Sequence, residues 1–392
     1  MAENSAPEAA ESASSSGHAS IRELALFFLR LGTTAFGGPA AHIAIMEDEL
    51  VRRRQWLSRE RFLDLLGASN LIPGPSSSEL AIHIGYLRAG WAGLVVAGIC
   101  FILPAASMVA ALAFMYVRFS KLPAMAAALY GIKPVVIAVV LQALWGLGRA
   151  AVKSTYLGVI GALSVCLAFF GIHPLLLLLV AGLAACIPLL STTRVTASTF
   201  SPFAATAAGI AGAKTSFSLG SLFLVFLKIG AIVFGSGYVL LAFLRADLVA
   251  HRGWLTDAQL LDAIAIGQVT PGPVFTTATF IGYLVGGLRG ATVATIGIFL
   301  PAFLLVAASG PLVPRIRKSK IAGAFLDGVN AGSLALMAMV TFQLGRTTLV
   351  DVLTLVLAAA SFALLLRFRW NSAWLILAGA VAGLLAQAVH PF

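Results

Sequence analysis

Charge is scarce in this sequence. Asp, Glu, Lys and Arg make up only 10% of its 392 residues, against 60% hydrophobic residues and a mean hydropathy of +0.98. So little charge excludes a soluble globular chain and leaves a polytopic membrane protein. Cysteine is also scarce: Cys100, Cys166 and Cys186 stand alone in apolar stretches, with neither disulfide nor metal-ligand spacing. A phosphate-binding P-loop, a dinucleotide fingerprint and a zinc-protease motif are all missing, so no cofactor is implied. His42, His173 and His390 are scattered rather than clustered. The apolar runs are long and rich in Leu and Ala. They are not the ten-residue alternations of a membrane barrel, so the fold class is all-α. Acids are the rarer sign, and the net charge is +11. The bases cluster in short connections between apolar runs, where they set topology and meet anionic headgroups. Membrane lipids are therefore the expected partners, and nucleic acid is not.

What is present is a repeated helix breaker. Pro73-Gly74-Pro75 recurs as Pro271-Gly272-Pro273, 198 residues on. A helix cannot run undisturbed through this triplet, and broken backbone in lipid is tolerated only where protein or a cavity surrounds it. The duplication extends further. Phe28-Leu29-Arg30-Leu31-Gly32 matches Phe226-Leu227-Lys228-Ile229-Gly230, Phe36-Gly37 matches Phe234-Gly235, Trp56-Leu57 matches Trp254-Leu255, and Asp64 matches Asp262. Beyond the triplet the offset is 197: Gly85-Tyr86 matches Gly282-Tyr283, Leu103-Pro104 matches Leu300-Pro301, and Gly182 matches Gly379.

The expected organisation is a disordered Ser-, Ala- and Glu-rich tail (1–20), a first repeat (21–190), a linker (191–217) and a second repeat (218–392). The tail lacks a basic n-region, so the first apolar segment is expected to act as an uncleaved signal. Apolar segments in the first repeat run over roughly 21–45, 62–84, 87–117, 122–148, 155–171 and 173–190, given the usual membrane span of about 20 residues. The connection holding Arg52, Arg53, Arg54, Arg59 and Arg61 has only Arg245 and Arg252 in its counterpart. Arg118 and Lys121 face Arg315, Arg317, Lys318 and Lys320. Since cytoplasmic loops are enriched in Lys and Arg, this reversal predicts two inverted-topology repeats with broken or re-entrant helices at Pro-Gly-Pro.

The candidate site follows from the breaks. Pro suits a first helical turn, and hydroxyls follow each triplet: Ser76, Ser77 and Ser78 in one copy, Thr276 and Thr277 in the other. A half-helix that starts inside the membrane offers N–H groups and a positive dipole end to an anion. Gly74, Gly272, Asn70 and Gln268 complete this polar set, with Arg30 and Lys228 at equivalent places as counter-charges. Plain proline kinks, snorkelling bases and ordinary interhelical hydrogen bonds are the alternatives. Glu79 and His83 share a helix face and suit a proton relay. Asp64 and Asp262 are further candidates for it, or helix-terminal acids. Two ligands are too few for a metal.

The run Phe36-Gly37-Gly38-Pro39-Ala40-Ala41-His42-Ile43-Ala44, with Glu47, Arg52–Arg54, Trp56-Leu57-Ser58 and Asn70-Leu71-Ile72-Pro73-Gly74-Pro75, resembles the chromate ion transporter family in its long two-domain form. The resemblance covers the chain from about residue 21. It implies export of chromate across the bacterial inner membrane, resistance to chromate, and coupling to the proton motive force. Sulfate is the expected competitor, the halves are oppositely oriented, and a homodimer is one assembly it allows. Members often carry Asn-Ser-Thr after the first Pro-Gly-Pro. Here Ser76-Ser77-Ser78 keeps hydroxyls and loses an amide, which bears on affinity or selectivity. The rival readings are transport of sulfate or another oxyanion, a passive channel, and a membrane-embedded chromate reductase. The lack of cofactor motifs and paired cysteines argues against the last.

Overall fold

The computed structural model describes residues 20–119, 122–192, 217–233, 239–309, 319–368, 370 and 372–389. Nearly all of the expected tail and linker, Lys121, Arg315, Arg317, Lys318, His390 and the Phe234–Gly237 motif lie outside the described residues. Every regular element among those described is helical. Four helices are long and apolar enough to cross a membrane, and the protein is an all-α multi-pass membrane protein.

Capping residues start the helices. Ser20 opens α1 (Ile21–Thr34) in a capping box with Glu23, and Ser218 opens α8 (Leu219–Ile232) in one with Ser221. Ser58 caps α3 (Arg59–Ser69), and Thr256 with Gln259 caps α10 (Asp257–Val269). The first apolar segment is broken where expected: α1 stops at Thr34, and α2 (Gly38–Glu47) starts after Gly37, whose φ of +106° is a left-handed conformation that favours glycine. A π-helical turn (Asp48–Arg53) follows α2. Its counterpart (Arg245–His251) follows the short α9 (Leu240–Leu244).

Both Pro-Gly-Pro triplets interrupt helix. In the first repeat α3 ends at Ser69 and α4 (Ser76–Phe119) begins just after Pro75, whose carbonyl accepts from the Ser78 and Glu79 amides. In the second, α10 ends at Val269 and a 3-10 turn (Val274–Thr276) leads into α11 (Thr277–Ser309). Neither long helix is straight. α4 reverses at Ala89-Gly90 and α11 at Gly286-Gly287, where Gly90 and Gly287 take φ of +58° and +60°. A Cβ on Gly85 would lie 2.3 Å from the Gly93 carbonyl oxygen and 2.6 Å from Ala97 Cβ. Residues 12 apart on a straight helix are separated by about 18 Å, so residues 76–88 and 91–119 lie back to back as a hairpin. Gly282, with Gly290 and Ala294, repeats this arrangement.

The remaining helices are α5 (Pro123–Ala151), α6 (Thr155–Phe169), α7 (Pro174–Thr192), α12 (Lys320–Thr348), α13 (Val352–Phe368) and α14 (Ser372–Val389). Lipid tails are as apolar as Leu, so association here depends on close packing. Gly32 of α1 sits on the Phe101 backbone of α4, and Gly230 of α8 on the Ile298 backbone of α11. The repeats interleave. α5 packs against α13 and α14 of the other repeat, and α12 packs against α6 and α7. Gly131 meets Gly379 and Gly383 at one crossing, and Gly328 meets Ala181 and Ala185 at its counterpart.

Candidate functional site

Each Pro-Gly-Pro is held by the opposite repeat. The Gly74 amide donates to the Val233 carbonyl at 2.7 Å, and the Gly272 amide donates to the Ala35 carbonyl at 3.0 Å. Ala35 and Val233 are the C-caps of α1 and α8, so the bonds form a reciprocal pair. Glycine is required twice over, because φ is +141° at Gly74 and +90° at Gly272. A Cβ would also meet Glu79 Oε1 at 2.3 Å or Ala105 Cβ at 2.6 Å. His42 extends the arrangement. Its Nε2 lies 3.1 Å from the same Ala35 oxygen, and its Nδ1 lies 3.4 Å from Ser77 Oγ. A carbonyl can only accept, so Nε2 carries the proton and the Ser77 hydroxyl donates to Nδ1.

Two matched spaces border the two breaks, and they differ in size. A cavity of about 540 Å³ is lined by Ile43, Asn70 and Ser76 from the first repeat's broken helices, by Gln142 and Lys153 around α5, and by Asp327, Asn330 and Ser333 of α12. At the equivalent place of the second break a crevice of about 10 Å³ is lined by Leu241, Gln268, Val274 and Thr277 together with Val140 of α5. A separate, mostly apolar space of about 610 Å³ lies on another side of that break, against Val269, Thr270 and Pro271 with Phe36, Met108 and Trp374. Leu241, Gln268 and Val274 are the repeat counterparts of Ile43, Asn70 and Ser76. One seam is open and its equivalent is closed.

Beside the closed seam, α10 is tied to the first repeat. Asp262 lies 3.4 Å from Lys133 Nζ of α5 and accepts from the Tyr116 hydroxyl at 2.9 Å. Lys133 corresponds to Asn330, and Asp262 to the half-buried Asp64 of α3. The open seam therefore has no lysine at the matching place.

The other sequence candidates fall as follows. Asn70 and Ser76 face the open cavity, and Gln268 and Thr277 face the crevice. Ser77 engages His42, while Ser78 Oγ is buried without a hydrogen-bond partner. The Thr276 and Thr277 hydroxyls donate to the Pro273 and Val274 carbonyls, the local bonding that a plain kink would show. Glu79 is fully buried, and neither carboxyl oxygen has a hydrogen-bond partner. His83 Nδ1 contacts the Glu79 backbone carbonyl at 3.0 Å and Ser69 Oγ at 3.4 Å, so no direct carboxyl-to-ring bond joins the pair. Lys228 pairs with Asp247 at 2.6 Å, and Arg30 is exposed on α1. Neither base lines the cavity.

Sequence reasoning misses Lys133, Tyr116, Gln142, Asn330 and Ser333, and it sets His42 aside. A signal exists for Lys133: an ionisable residue inside an apolar helix is a functional candidate by default. Gln142, Asn330 and Ser333 are neutral and lie far from Pro-Gly-Pro in sequence, and only the packing of α5 and α12 brings them to the cavity.

The comparisons with known proteins agree with this architecture. The sequence profile described as chromate transporter matches residues 22–186 and again 220–384. The chain is 35% identical over 373 residues to a chromate transport protein of Cupriavidus metallidurans, covering 93% of each chain. It is 34% identical over 376 residues to a chromate transport protein of Pseudomonas aeruginosa, covering 91% of this chain and 90% of the relative. It is 33% identical over 347 residues to a probable chromate transport protein of Synechococcus elongatus, covering 86% of this chain and 87% of the relative. No solved structure matches. A profile matched in both halves, each with a Pro-Gly-Pro break clasped by the other half, makes this chain a member of the chromate transporter family.

Proposed function

We propose that this protein is a secondary transporter that exports chromate across the bacterial inner membrane in exchange for protons, and so confers chromate resistance. The observation that carries the reading is the inequality of two equivalent seams: about 540 Å³ where Ile43, Asn70 and Ser76 meet, and about 10 Å³ where their counterparts Leu241, Gln268 and Val274 meet. Oppositely oriented repeats with one seam open and its equivalent shut have the form of one state of alternating access. The other state exchanges their roles. Sulfate, a tetrahedral dianion of the same shape, competes for the site.

In this reading the repeats at 21–190 and 218–392 have opposite topology, and the start of α4 presents its positive end to the anion. Glu79 carries the proton. Its carboxyl is buried against Gly74, close behind the cavity-lining Ser76. Proton exchange there requires water or a partner to reach the carboxyl, which couples it to movement of the Pro-Gly-Pro tip. His83, Asp64 and Asp262 serve the same path.

Everted membrane vesicles test the proposal. Respiration-driven accumulation of chromate that collapses with a protonophore supports it. Flux that follows only the chromate gradient after full uncoupling would indicate a channel. Reduction of Cr(VI) to Cr(III) by the purified protein would indicate an enzyme.

A further inference from the structure

We propose that the open cavity recognises a tetrahedral oxyanion through uncharged donors, with Ser333 and Asn330 of α12 and Gln142 of α5 as contacts beyond Pro-Gly-Pro. The inference rests on the transport reading above and specifies its binding site.

Ser333 is the clearest indicator. It is 2% exposed, its Oγ has no hydrogen-bond partner, and it lines the cavity. A buried hydroxyl left unpaired is costly. The Oγ itself is shielded from the cavity, and a χ1 rotation that turns it toward the space would let a bound ligand satisfy it. Asn330 lies three residues earlier on the same helix face and lines the same space. Across from them, Ser76 opens the helical arm 76–88, and Asn70 and Gln142 add amide donors. A helix start favours an anion through its dipole and orphan N–H groups.

Fixed positive charge contributes little. Among the cavity-lining residues the one base is Lys153, and its ammonium lies 2.7 Å from Asp327, which lines the cavity too. Hydrogen bonds from neutral groups hold a dianion less tightly than unpaired bases would, so they suit a site that must also release it. The volume of about 540 Å³ is in the usual range for small-ligand sites. It leaves room for waters around the ion. The donor set belongs to one seam only. The repeat counterparts of Ser333 and Asn330 are Val136 and Lys133, so this donor pair is not repeated at the second seam.

The test is equilibrium binding of radiolabelled chromate and of radiolabelled sulfate to the purified full chain in lipid nanodiscs. Ser333→Ala removes one hydroxyl and Asn330→Asp puts a carboxylate against the anion. Each should weaken binding of both probes by about tenfold or more. Ser333→Thr, which keeps the hydroxyl, should restore most of the affinity. Thermal midpoints confirm that each variant is folded, and Ser333→Ala alone decides if Asn330→Asp is not. Wild-type affinity in Ser333→Ala, with transport intact, overturns the assignment of this site and leaves the transport reading standing. Failure of the wild type to bind either oxyanion overturns both.

Discussion

The amide of Gly74 donates to the carbonyl of Val233 at 2.7 Å, and the amide of Gly272 donates to that of Ala35 at 3.0 Å. Two helix breakers 198 residues apart are thus each tied to the other repeat's first helix. Gly74→Ala and Gly272→Ala should both destabilise the protein by about 1–3 kcal/mol, from left-handed backbone strain alone. The expected contacts, 2.3 Å to Glu79 Oε1 and 2.6 Å to Ala105 Cβ, add to this. Thermal unfolding in detergent measures the effect. Wild-type stability in both variants would show that the clasp is not under this constraint.

Much of the site's backbone was legible in the sequence. Proline and glycine act locally, so the breaks after Ser69 and Val269 and the break near Gly37 could be placed from the triplets and the glycine run. The all-helical class followed from hydropathy. The side-chain geometry was not legible, because it depends on contacts between repeats. Nothing near Asn330 or Ser333 distinguishes them from other polar residues in apolar helices. The interleaving of α5 with α13 and α14 comes from small-residue crossings such as Gly131 with Gly379. Sequence periodicity does not reveal which glycines will meet.

Lys133, Asp262 and Tyr116 should act as a latch on the closed seam. Lys133→Met leaves Asp262, whose side chain is 3% exposed, with its cation removed. Breaking one side of such a pair costs about 3–5 kcal/mol, whereas apolar replacement of both partners is often near neutral. The double variant Lys133→Met/Asp262→Leu should therefore be more stable than Lys133→Met. Maleimide labelling of a Leu241→Cys reporter in the crevice should accelerate in Lys133→Met. Additive stabilities and an unchanged labelling rate would mean that the pair does not hold the seam.

Glu79→Gln should separate binding from coupling. The amide has the shape of the carboxyl and cannot exchange a proton. Oxyanion binding in nanodiscs should persist, while the dependence of vesicle flux on pH should disappear. A flux–pH profile matching the wild type would place the coupling proton on another group.

Gly85 and Gly282 should tolerate no side chain. Each packs on a carbonyl of the returning hairpin arm, with 2.3 Å to the oxygen from a notional Cβ. Leucine at either position should cost about 1–3 kcal/mol or more through overpacking. Gly148→Ala is the contrast, since nothing lies within 4 Å of its added Cβ. Equal thermal midpoints for Gly85→Leu and Gly148→Ala would refute the hairpin contact.

His42 joins the two breaks through one carbonyl. The Ala35 oxygen receives both the Gly272 amide and His42 Nε2, while His42 Nδ1 faces Ser77 next to the first Pro-Gly-Pro. The second repeat has Leu240 at the equivalent position, so this connection exists once. His42→Leu, which copies the second repeat, removes the Nε2 donor and leaves the buried Ser77 hydroxyl without its acceptor. The loss should amount to about 1–3 kcal/mol of stability. Transport should fall by more than stability requires, because movement at one tip would no longer be communicated to the other. Comparing flux per folded molecule in His42→Leu with that in a core variant of equal stability, such as Phe62→Leu, separates the two effects. Equal flux in both would reduce His42 to a packing residue.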